Sequence, residues 1–206
     1  MSNRAHIEPA VPFRCGGHEA LDFVNTVDTR ARPFERDYIE TFEKLVAWSW
    51  QVGLIEGSSV RSLIATPARI AAAAHREALA LRESLLHVFG AIIDDEAPRR
   101  GDLLALNVLL VEARGRQVLT RSAGKFSWSW AGDVDARTPT LLVALAAADL
   151  LEHLDPARLK RCPPPDGCGW LFVDVSRNAS RRWCSMDYCG SSAKARRFAN
   201  AHRRSR

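Results

Sequence analysis

No stretch of this sequence is long and apolar enough to cross a bilayer. The most apolar run, Leu141 to Leu151, is interrupted by Asp149 and falls far short of the ~20 residues a spanning helix needs. Residues 1–14 contain Pro9 and Pro12 but no continuous apolar segment, so a secretory signal is not expected and the chain reads as cytoplasmic. A Walker loop, a GxGxxG turn and the HExxH and GxSxG signatures are all missing. Their absence removes the usual marks of nucleotide, metalloprotease and serine-hydrolase chemistry. The six histidines are scattered, with no partner at helical spacing. With no nucleophile–base pair in view, an enzymatic role is not expected. Internal repeats and low-complexity tracts are absent as well.

What is present describes a folded protein. Hydrophobic residues make up 47% of the chain, enough to bury a core, and 206 residues fit one large or two modest domains. The formal charge of +5 is unevenly placed. From Lys160 onward eleven Lys/Arg face three acids, a balance of +8 that leaves −3 for the rest. A basic terminal module on a mildly acidic body suits a polyanionic partner, although a charge run by itself is more often a solvated surface.

Period separates the elements. Gly16-Gly17 is a break, and Leu21 and Val24 after it predict a short helix. Thr41 to Val52 reads as a partly buried helix ending near Gly53. Thr66-Pro67 is a helix start, a capping hydroxyl followed by proline at the first position. From there Ile70, Ala74, Ala78, Leu81, Leu85 and Val88 keep three- and four-residue steps to about Phe89, an amphipathic helix. Another helix is expected over Asp102 to Glu112. Phe126, Trp128 and Trp130 alternate with serines, the period of a half-buried strand, and the Ser122-Ala123-Gly124 turn makes a hairpin with Val118 and Leu119. Thr140 to Leu154 is apolar nearly all round and predicts a central helix, closed by Asp155-Pro156. The domains expected are therefore 1–157, helical with a small β-hairpin, and 158–206.

Cysteine is scarce, and its placing is informative. Four of the five fall as Cys162-x5-Cys168 and Cys184-x4-Cys189, fifteen residues apart. Reduced cysteines in two close pairs point to metal rather than disulfides. Each pair fits a tight knuckle, and the chain between them is long enough to bring the knuckles together around a tetrahedral ion. Pro163-Pro164-Pro165-Asp166-Gly167 is turn material, Trp170 to Val175 reads as a strand returning through Arg181-Arg182-Trp183, and Ser191 to Arg204 reads as a helix. The expected fold is α+β, mostly α, ending in a treble-clef-like module of knuckle, hairpin, knuckle and helix. Its one Zn2+ is structural, because four thiolates leave no open position. Cys15-x2-His18 lacks a second half and reads as an ordinary unpaired cysteine.

At these residues the chain resembles a known family. Arg161-Cys162, Cys168-Gly169-Trp170-Leu171-Phe172, Ser176-Arg177-Asn178, Arg181-Arg182-Trp183-Cys184-Ser185-Met186 and Cys189-Gly190 resemble the CGNR-type zinc finger. Gly17-His18-Glu19-Ala20-Leu21-Asp22-Phe23-Val24-Asn25-Thr26 looks like the opening motif of the ABATE domain. The two occur together in bacterial proteins described as stress-induced transcriptional regulators. The chain departs at the end of the Cys-Gly-Asn-Arg signature, where Ser191-Ser192 follow Cys189-Gly190; the thiolate is kept and the arginine is not. The resemblance implies a zinc-dependent regulator that binds duplex DNA and whose N-terminal domain senses an effector or forms a homodimer. Arg177, Arg181, Arg182, Lys194, Arg196 and Arg197 are the candidate DNA contacts. Asp22, Asn25 and Thr26 are candidates for a small-molecule pocket with Trp48, Trp128 and Trp130. The competing reading makes Asp22 and Asn25 cap a helix or tie a turn, with the tryptophans in the core, and is commoner among proteins. The alternative function is a zinc-stabilised protein- or RNA-interaction module.

Overall fold

The structure, a computed structural model, describes residues 14–28, 36–164 and 167–204. Helix α1 (Glu19–Val24) is followed by α2 (Phe42–Gln51), α3 (Gly57–Ile64), α4 (Ala68–Ile93) and α5 (Arg100–Gly115). A hairpin of β1 (Gln117–Ser122) and β2 (Lys125–Trp130) leads to α6 (Thr138–His153). A single 3-10 turn, Pro156–Arg158, enters the C-terminal module, which contains β3 (Leu159–Arg161), β4 (Leu171–Val173), a π-turn at Met186–Gly190 and α7 (Ser191–Arg204). Among the described residues no helix is long and apolar enough to cross a membrane.

The long periodic helices arise where expected. Ala74, Ala78, Leu81, Leu85, Val88 and Phe89 turn one face of α4 into the core, and Leu141, Val143, Ala144 and Ala147 bury α6 on several sides. Their caps differ from expectation. Thr66 does not cap α4; Pro67 itself holds the cap position with no side-chain hydrogen bond. At α6 the work is done by Asp135, which accepts from the N–H groups of Arg137 at 2.9 Å and Thr138 at 3.1 Å. Thr41 caps α2 by accepting from the Lys44 N–H. Helix α3 was not foreseen; only Leu63 is buried in it.

The β1–β2 hairpin turns on Ala123 (φ 48°) and Gly124 (φ 80°), two left-handed residues that match the twist of a two-residue turn. The expected half-buried strand is instead mostly exposed. Trp130 packs against the core, but Phe126 and Trp128 are 67% and 61% exposed.

The second departure lies in the C-terminal module. β4 pairs antiparallel with β3, Arg161 opposite Leu171, so the strands flank the first cysteine pair and the first knuckle forms the hairpin tip. Residues 176–183 return without a strand. Leu159 and Leu171 belong to the same apolar core as α1, α2, α4, α5 and α6, so the module is seated on the helical body.

Candidate metal centre

Two turns bring the four cysteines together. In the first, Cys162 N–H donates to the Trp170 carbonyl at 2.8 Å, and Gly169, left-handed at φ 79°, returns an N–H to the Cys162 carbonyl. Gly167 passes so close that an added Cβ would lie 2.5 Å from the Cys162 Sγ; no side chain fits there without moving the sulfur. In the second, Met186–Gly190 coils from Cys184 to Cys189 and runs directly into α7. Trp170, Phe172, Trp183 and Ala193 pack around Cys162 and Cys184 as a small apolar shell.

The four sulfurs lie within 4.8 Å of one another. Cys168 and Cys184 are 3.5 Å apart, and Cys184 and Cys189 are 3.7 Å apart. A tetrahedron with Zn–S distances of ~2.3 Å has edges of about 3.8 Å, so the cluster has the size the ion requires. The thiols crowd one another through S–H···S contacts. Hydrogen bonds from Cys168, Cys184 and Cys189 pull the Cys162 thiol far below its ordinary range, and those made with Cys15, Cys162 and Cys168 push Cys184 far above it. A dication that replaces the protons removes that conflict. The donor set, four sulfurs with no nitrogen or oxygen among them, fits one structural zinc. Bound there, zinc supplies the free energy that orders a module too small to fold by its own core.

A family model described as "ABATE: Putative stress-induced transcription regulator" matches residues 17–154. The chain belongs to the ABATE family. A second model, the CGNR zinc finger, matches residues 158–204 and takes in all four thiols. No curated protein matches the chain.

The opening ABATE motif is a clasp on the CGNR finger. Asn25 donates from Nδ2 to the Leu171 carbonyl at 2.8 Å and accepts the Leu171 N–H at 2.9 Å, as a neighbouring strand would. Trp170 Nε1 donates to the Val27 carbonyl, and Val173 N–H to that of Gly16. Asp22 accepts the Gly16 N–H at 2.9 Å. Burial raises its carboxyl above the ordinary range, although Gly16 and Arg14 pull the other way. Thr26 donates to the Phe23 carbonyl and accepts from Arg82, which also grips Asp37 through two nitrogens at 2.8 and 2.7 Å. Asp22, Asn25 and Thr26 are thus buried and bonded to their own chain, the turn-tying role rather than a pocket lining. Trp48 lies in the core against Phe23, while Trp128 stands in solvent, so no aromatic box forms around them.

The basic candidates divide. Arg177, Arg182 and Lys194 are exposed, Arg182 stacking over Trp183 at 5.7 Å, and Arg196 is half-buried. The Arg197 side chain lies outside the described residues. Arg181 is a correction to the set: its guanidinium sits 4.7 Å over the Phe172 ring and donates to the carbonyls of Trp183, Cys184 and Cys15. It braces the second knuckle from inside, with Nε and Nη2 committed to backbone carbonyls.

Sequence reasoning missed Lys160 and Asp174. Asp174 is fully buried and accepts from Lys160 Nζ at 2.6 Å, from both donors of Ser176, and from the Arg181 N–H. Burial alone would raise its carboxyl; these four donors outweigh it and hold the group well below the usual carboxylate range. Lys160 also meets the carbonyls of Ala179 and Arg181. The pair pins the strandless return to β4. The Asp174-x-Ser176 spacing of an Asx turn was the available signal.

Proposed function

We propose that this ABATE protein is a cytoplasmic, zinc-dependent transcriptional regulator with no catalytic role. Its CGNR finger contacts duplex DNA and its helical body senses an effector or dimerises. One observation carries the reading. The second knuckle runs without a break into the basic helix α7, whose Ala193 is buried in the metal shell while Lys194 faces solvent. The ion therefore fixes the pose of a cationic surface that Arg177 and Arg182 extend.

With Arg181 withdrawn, about four phosphate contacts give a slope of log affinity against log salt of about −3.6. Arg182→Ala is expected to flatten that slope by about 0.9, one contact's share. Arg181→Ala should instead lower zinc retention. Fluorescence anisotropy with a labelled random-sequence duplex across a salt series measures the slopes, and metal analysis reads the Arg181 variant; duplex binding that ignores salt would count against the proposal.

Between the two roles for the body, dimerisation has the better support. Leu104, Val108 and Val111 are exposed at four- and three-residue steps along α5, and Leu119, Phe126 and Trp128 are exposed along one face of the hairpin. Contiguous exposed apolar faces mark contact surfaces. Val108→Asp with Trp128→Ser is expected to weaken self-association at least tenfold, read by light scattering over a concentration series. A wild type that is monomeric at every concentration would remove this part.

The alternative, a protein- or RNA-interaction module, draws on Val175, Met186, Tyr188 and Phe198, large apolar groups exposed on the finger itself. Structured RNA in the same titration, binding more tightly than duplex, would favour it.

A further inference from the structure

The fifth cysteine does not stand apart. Cys15 lies more than 140 residues before the metal ligands in sequence, yet it packs against the shell of Trp170, Phe172, Trp183 and Cys184. Neighbouring bonds fix it there. Arg181 Nη2 donates to the carbonyls of both Cys15 and Cys184, and the next residue, Gly16, is held on one side by Val173 N–H and on the other by Asp22. An extra side chain at Gly16 would meet Leu21 at 2.8 Å, so the segment has one way to lie. Cys15 is half-buried rather than enclosed, so a small oxidant can approach the residue. A tetrahedral site needs four sulfurs; this one has a spare beside it.

We propose that Cys15 is a site of oxidative modification that releases the zinc by forming a disulfide with Cys184. The reaction needs a two-electron oxidant of the peroxide class. Hydrogen peroxide transfers one oxygen to the Cys15 thiol, giving the sulfenic acid and one water. The Cys184 sulfur then attacks that sulfur: an S–S bond forms, the S–O bond breaks, and the oxygen leaves as a second water after taking a proton from solvent. Two thiols are oxidised and one peroxide is reduced. Cys184 is lost to the ion, three ligands remain, and the finger loses the coordination that orders it. The inference rests on the zinc reading and is independent of whether the finger binds DNA.

The test uses the full-length, reduced, zinc-loaded chain treated with hydrogen peroxide, with release followed by a coloured zinc chelator and disulfides mapped by mass spectrometry. Zinc content before peroxide examines the metal reading alone, and Cys15→Ser is expected to hold as much zinc as the wild type. After peroxide the wild type should yield a Cys15–Cys184 cross-linked peptide, and Cys15→Ser should release zinc at least tenfold more slowly. Equal release rates, or disulfides formed only among Cys162, Cys168, Cys184 and Cys189, would overturn the proposal. Should Cys15→Ser fail to fold, Cys15→Ala and the wild-type cross-link map decide the question in the same way.

Discussion

Cys184→Ser is expected to empty the metal centre and unravel the finger while leaving most of the helical body folded. Sharing the roughly 10–16 kcal/mol of a structural zinc site among four sulfurs gives about 3 kcal/mol for each, on the order of a hundredfold in affinity. Cys184 should cost at least that share, since it lies within 3.7 Å of both Cys168 and Cys189 and its carbonyl anchors Arg181. The apolar shell cannot compensate, because Trp170, Phe172, Trp183 and Ala193 are too few to hold the module together. The loss of helix should be confined to the 14 residues of α7, since α4 and α6 are buried in the main core, outside the metal shell. Metal analysis together with circular dichroism checks both halves. Retention of one zinc by the variant would mean that the site tolerates three thiolates, against the geometry described.

The second large effect is expected at Asn25, in the body rather than the finger. Asn25→Ala leaves the N–H and the carbonyl of Leu171 buried without partners. Each stranded group costs ~1–3 kcal/mol, so the variant should lose about 2–6 kcal/mol of stability. Leu171 is completely buried and shares the main core, so water cannot take the place of the amide unless the finger lifts. Denaturant unfolding with separate probes for body and finger should then show the two transitions parting, the finger unfolding first. If the two probes stay coincident and stability is unchanged, Asn25 is not the clasp.

These two sites differ in how much the chain discloses beforehand. Cysteine spacing announces the metal because thiolates close together in a reduced protein have few other uses. The three- and four-residue steps of α4 and the all-round apolar surface of α6 are equally plain, since burial has to repeat with the turn of the helix. The partner of Asn25 is not legible in this way. Leu171 is 146 residues away, and nothing local separates an amide that pairs with a distant strand from one that ties a nearby turn. Cys15 is hidden for the same reason. Arg181 is hidden among similar residues: an arginine beside Arg182 in a basic segment looks like surface, and only the fold shows that its neighbours' carbonyls close around it. In the hairpin, alternation reports that β2 has one apolar face but not whether anything covers it. The hairpin starts one element earlier than the expected order of knuckle then hairpin, because Leu159–Arg161 is too short to declare itself a strand.

X-ray absorption at the zinc edge, on reduced full-length protein quantified for metal, tests the central claim most directly. One zinc per chain surrounded by four sulfur neighbours near ~2.3 Å, with no nitrogen or oxygen in the first coordination sphere, is the expected result. Protein that is folded and reduced yet binds no zinc, or whose zinc has imidazole or water among its ligands, would contradict it.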